Sequence, residues 1–130
     1  MRIVRDSYTE VKNMVSALYP ALSALRALGD KLGVTSNNIA NVNTDGFKKS
    51  RAVFEDASPS GVTVSISRVE TPGAPLPVDR ETGEIRESSN VAIEEEMVDL
   101  ITTKHAYTAN LNIIKTEEEM IGTLLDIVDE

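Results

Sequence analysis

From Ile93 to Val128 one stripe dominates the sequence. Ile93, Met97, Leu100, Lys104, Tyr107, Leu111, Ile114, Glu118, Ile121, Leu125 and Val128 follow one another at three- and four-residue steps, and nine of these eleven positions are apolar. Only a helix gathers such a pattern on one side, and one of this length runs about 54 Å. That is longer than a compact domain of 130 residues needs. The stripe therefore calls for a partner along its length. An earlier segment offers one: Leu18, Leu22, Leu25, Leu32 and Ile39 share the 3-4 spacing, with Gly29 and Ser36 at the intervening positions. Pro20 predicts a boundary, because proline is tolerated in a first helical turn and breaks an interior one. Residues 1–15 have weak periodicity and predict a frayed segment or a short helix.

The first helix is expected to stop at Asn41 to Thr44, where Asn43, Thr44, Asp45 and Gly46 supply turn conformations. FKKSRAVF then reads as extended. Ser58 to Gly61 mark a loop, and Val62, Val64 and Ile66 alternate with polar residues as in a half-buried strand. TPGAPLP, residues 71–77, excludes helix and central strand. Val78 to Arg86 predict a small β-hairpin with Gly83 in its turn. Asn90 is the expected cap of the final helix, whose first turn carries Glu94, Glu95 and Glu96 at the positive end of the helix dipole. The fold class is thus mainly α with a small β-rich middle, its long terminal helices packing as a coiled-coil pair. The parts are residues 1–57, 58–89 and 90–130, in one structural unit.

Composition narrows function by exclusion. The chain has no cysteine and a single histidine, His105, so thiolate chemistry and His-rich metal sites are ruled out. Asp99 and Tyr107 lie six and two residues from His105 and share no helix face with it. Consecutive glutamates at 94–96 and 117–119 fan out around a helix and read as solvated faces. No catalytic residue, cofactor, metal or small-molecule substrate is indicated. The net charge of −8 resides in residues 91–130, while residues 1–58 carry +2. An acidic helix argues against nucleic acid and anionic membrane, and favours protein contacts. No apolar run is long enough for a membrane span, and MRIVRDSYTEVKN lacks the apolar core of a cleavable leader.

SNNIANVN, residues 36–43, raises a separate question. Asn41 and Asn43 suit a turn, but Asn37 and Asn38 fall within the helical register, where asparagine costs up to about 0.7 kcal/mol relative to alanine. Buried amides can fix the register between helices. The expectation is that neighbouring subunits satisfy them.

ALSALRALGDKLGVTSNNIANVNTDGFKKSR closely resembles the N-terminal signature of bacterial flagellar rod, hook and hook-associated proteins: a helix ending in SNNIAN, then a threonine and GFK. NVAIEEEMVDLITTKHAYTANLNIIKTEEEMIGTLLDI resembles their C-terminal signature, in the same order along the chain. The short length and middle look most like the small proximal rod members, although GFKKSR is nearer to distal rod and hook members. The resemblance implies a non-enzymatic rod subunit exported by the flagellar type III apparatus without a cleaved leader. It implies a place in the basal-body rod among like and related rod proteins. On this reading Leu22, Leu25, Leu32 and Ile39 meet Met97, Leu100, Tyr107, Leu111 and Ile114 at subunit contacts. Ser36 lies on the same stripe, Asn37, Asn38, Asn41 and Asn110 set register, and Gly46 and Phe47 turn and anchor the chain. The alternative is a soluble regulatory or export-adaptor coiled coil that never enters the rod.

Overall fold

The structure, a computed structural model, describes residues 2–128. Helix α1 spans Arg2–Ala40, strands β1 and β2 span Ser50–Asp56 and Val62–Arg68, and helix α2 spans Ile93–Val128. At 1.5 Å per residue the helices are about 58 and 54 Å long. They pack as an antiparallel pair: Asn38 bonds Glu96, Lys31 pairs with Asp99, and Met14 shares a groove with Leu124 at the opposite end. The expected class is therefore found, two long helices packed together with a small sheet between them in sequence.

Register within the pair departs from the expected stripes in one consistent way. Leu18, Leu25, Leu32 and Ile39 on α1, and Leu100, Tyr107, Ile114 and Ile121 on α2, are buried or half-buried as expected. The positions between them are not those predicted. Ala21, Leu28 and Thr35 enter the seam, three residues on, whereas Leu22, Gly29 and Ser36, four residues on, face out. On α2, Glu96, Thr103, Asn110 and Glu117 enter, and Met97, Lys104, Leu111 and Glu118 face out. In heptad terms the seam uses a and d, and the apolar count had selected a and e. The polar character of the d positions on α2 is the reason: a count of hydrophobic residues cannot see a seam built partly from Glu, Thr and Asn.

Pro20 lies inside α1 rather than at its start. Its missing N–H deprives the Ser16 carbonyl of a helical donor, but Ser16 is exposed and water can replace the bond. Seam residues Met14 and Leu18 before it and Ala21 and Leu25 after it hold both halves in one line. The segment before Pro20 is accordingly helical from Arg2, and Met1 lies outside the described residues.

β1 and β2 form an antiparallel hairpin with Ser50 opposite Arg68 and Asp56 opposite Val62. The hairpin lies along α1, where the Ser23 hydroxyl accepts from the Val62 N–H (3.0 Å) and the Lys31 ammonium sits 5.6 Å from the Phe54 ring centre. The second expected hairpin, over 78–86, is a turn-closed loop without paired strands. Leu76 N–H donates to Arg86 and Gly83 N–H to Asp79, while the single bridge joins Pro75 and Glu87. Pro75 and Pro77 supply no N–H, so no ladder can extend through them. The Asp79 carboxylate accepts from the Glu81 and Thr82 N–H groups, and these backbone bonds hold it below its ordinary range.

A candidate assembly surface

Asn38 is the hub of the molecule. Its side-chain amide donates to the Ser50 carbonyl (2.8 Å) and to Glu96 Oε2 (3.1 Å), and its oxygen accepts from the Ser50 N–H (3.0 Å). It thus imitates a neighbouring strand residue at the outer edge of β1 and ties both helices there. It is 1% exposed, and Glu96 is 7% exposed. The expectation that neighbouring subunits satisfy this amide fails: its partners are all within the chain. Asn37 is exposed. Asn41 caps the helix end, its amide donating to the Asn37 carbonyl (2.9 Å) while its oxygen accepts from the Thr44 hydroxyl (3.1 Å). Asn110, half-buried, donates to the Ala106 carbonyl in its own helix (2.9 Å).

Asn90 plays a second clasp rather than the expected cap, since α2 starts only at Ile93. Its oxygen accepts from the Lys49 N–H (2.6 Å) and its amide donates to the Val69 and Thr71 carbonyls (2.8 and 2.9 Å). Gly46 adopts φ +69° and its N–H donates to the Glu87 carbonyl (2.8 Å), and half-buried Phe47 accepts from the Asn90 N–H. The signature stretch therefore docks the middle segment onto the helix pair.

Charge reinforces the docking. Lys49 pairs with Glu95 (3.1 Å), Lys31 with Asp99 (3.6 Å) and Arg86 with Asp45. Lys48 donates to Glu87 (2.6 Å), and this bond, ahead of opposing desolvation, holds the Glu87 carboxylate below its ordinary value of 4.5. A carboxyl whose folded pKa is depressed stabilises the fold above its unfolded pKa and loses that contribution as pH falls through the lower folded value. Melting temperature measured from pH 6 down to about pH 3 should fall, and part of the fall should vanish in Glu87→Gln. An identical acid profile in the variant would show that Glu87 contributes nothing.

Of the residues expected at subunit contacts, Leu25, Leu32, Ile39, Leu100, Tyr107 and Ile114 line the intrachain seam. Leu22, Ser36, Met97 and Leu111 face outward. In an antiparallel pair the e positions of both helices flank the same side. The heptad therefore sets Leu22 beside Leu111, continued by Val15 and Tyr8 on α1 and by Leu125 on α2, all exposed. Ile113, Met120 and Ile127 form a second exposed apolar row at the g positions of α2. The row Tyr8, Val15 and Leu22 does not stand out in the sequence because residues 1–15 read as weakly periodic. Its signal is a seven-residue repeat carried across Pro20. Among the described residues no three His, Cys, Asp or Glu side chains converge as metal ligands, and no helix is long and apolar enough to cross a membrane. The chemistry this surface offers is apolar contact bordered by charge.

Comparison with known proteins agrees at both ends of the chain. Residues 18–48 match the family described as flagella basal body rod protein, and residues 83–127 match the flagellar basal body rod FlgEFG protein C-terminal family. The flagellar basal-body rod protein FlgG of Bacillus subtilis is 54% identical over 43 residues, 33% of this chain and 16% of that protein. The flagellar hook protein FlgE of Borreliella burgdorferi is 35% identical over 94 residues, 72% of this chain and 19% of its own length. The chain thus spans less than a fifth of either relative. The flagellar basal-body rod protein FlgC of the same organism is 28% identical over 148 aligned positions, covering 88% of this chain and 97% of that protein.

Proposed function

The chain belongs to the family of flagellar basal-body rod proteins, and we propose that it is a structural subunit of the rod, assembling through its terminal helices into the axial tube. The observation that carries this reading is the separation of two surfaces. One seam closes the helix pair internally, and a second row, Leu22 with Met97 and Leu111, stays exposed beside it. Within one chain that row covers nothing, and Leu22 beside Leu111, with Lys104 and Glu118 interrupting the row further along, suits apolar contact with another protein. Heterologous contacts that do not close on themselves generate open helical arrays, as a tube requires. The near full-length likeness to a FlgC protein supports a proximal position among like and related rod subunits. On this reading the chain leaves the cytoplasm through the flagellar export apparatus and resides in the periplasmic part of the basal body.

A strain lacking the gene, complemented with Leu22→Arg/Leu111→Arg, tests this. The purified double variant should melt within about 2 °C of wild type, because exposed substitutions typically change stability by less than about 0.5 kcal/mol. The complemented strain should nonetheless fail to swim and should lack filaments by electron microscopy. Full motility in that strain would overturn assembly through this row. Full motility in the uncomplemented deletion would overturn the rod reading and return the chain to an adaptor role.

A further inference from the structure

The half of the helix pair away from Asn38 carries two surfaces of opposite character. The first is a groove of about 700 Å³ between the helices. Met14, Met120 and Leu124 make its floor, Thr123 lies beside them, and Glu10 and Glu119 stand on its two rims. The second is a stripe on α1 made by Arg5, Tyr8, Lys12, Val15, Tyr19 and Leu22, which follow one another at three and four residues and so share one face. Every member is exposed, Tyr8 and Tyr19 by 73% and 59%. Large aromatic side chains alternate there with cations. Among the described residues none of Arg5, Lys12, Glu10 or Glu119 takes part in an ion pair.

Resting on the reading of the chain as an assembling subunit, we propose that the basic aromatic stripe of α1 docks into the acidic, methionine-floored groove of a second copy of the same chain. The two surfaces match in three respects. The apolar floor receives the ridge of Tyr8 and Val15, methionine being the side chain that best adapts to a ring and offers it a sulfur contact. Glu10 and Glu119 on the rims meet Arg5 and Lys12 beside the ridge, which orients the contact and disfavours groove against groove or stripe against stripe. The contact is also heterologous: stripe and groove are different surfaces of one copy, so each subunit uses both and the array grows without closing.

Charge exchange tests this directly. Two variants of the full chain are prepared, Arg5→Glu/Lys12→Glu and Glu10→Lys/Glu119→Lys, and their helix content is checked by circular dichroism. In sedimentation velocity the wild type should self-associate with concentration. Each variant alone should associate on the order of tenfold more weakly or less, since like charges then face each other. Mixed in equal amounts they should regain association, because each copy's altered surface now meets its altered complement. Either variant associating as well as wild type, or a mixture no better than its components, would overturn this docking while leaving the rod reading intact if motility is still complemented. A wild type that stays monomeric at its highest soluble concentration would also overturn it. The rod reading falls separately, if cells lacking the chain still build rods.

Discussion

Replacing Asn38 with leucine should lower the melting temperature of the purified chain by about 10 °C, whereas the same change at Asn37 should be nearly silent. Asn37 takes only an exposed 3.3 Å contact from the Asn41 amide on its side-chain oxygen. Asn37 is exposed, and Asn38 makes three hydrogen bonds at a site that water does not reach. Leucine there strands both polar groups of Ser50 and removes the donor from the buried Glu96 carboxylate. A hydrogen bond to a charged group contributes about 1.5–3 kcal/mol, and a stranded buried group costs about 1–3 kcal/mol. With solvent and local relaxation recovering part of this, about 3 kcal/mol remains, which a chain of this size registers as about 10 °C. Adding Glu96→Leu to Asn38→Leu should then cost less than the sum of the single changes, because it removes the stranded charge as well. Equal melting temperatures for Asn38→Leu and Asn37→Leu would show that the hub does not hold the middle to the helices.

Gly73→Ala is expected to have the next largest effect. A Cβ at this position would land on the backbone carbonyl of Ser88, which cannot swing aside as a side chain does. Residues 73–74 and 87–88 must therefore separate. That breaks the Ser88 N–H bond to Ala74 (2.8 Å), the Ala74 N–H bond to the Ser88 hydroxyl (3.0 Å) and the Gly73 N–H bond to Glu87 (3.2 Å). Loss on the order of 2–3 kcal/mol follows from two or three such bonds at about 1 kcal/mol each. Urea denaturation reads the total, and amide exchange should accelerate at Gly46, whose N–H depends on the Glu87 carbonyl. Gly33→Ala is the internal control: its Cβ would meet open space within α1, and helix propensity alone should stabilise it by about 0.5–1 kcal/mol. A Gly73→Ala protein as stable as wild type would mean the loop has slack that the close approach to Ser88 does not suggest.

The long helices were legible because their repeat is long and their endings carry chemical markers. Asn41 to Gly46 stop α1 where expected, and the alternation at Val62 to Ile66 is a strand. What was misread shares one cause, the invisibility of tertiary partners to a local pattern. Thr103, Asn110 and Glu117 look like surface residues until α1 lies over them, so the seam was assigned one position away. Asn90 suits a helix cap in isolation, but Lys49, Val69 and Thr71 draw it into a clasp between segments distant in sequence. Pro20 breaks most helices, and here a continuous seam on both sides keeps the axis intact. The displaced register has a functional counterpart: the apolar residues that seemed to be the internal seam are in part the ones left outside it.

The most direct measurement is immunogold labelling of purified flagellar basal bodies with an antibody to this chain. Label along the rod, absent from basal bodies of a strain lacking the gene, is the predicted result. A chain found in the cytoplasm and missing from intact basal bodies would contradict its role as a rod subunit.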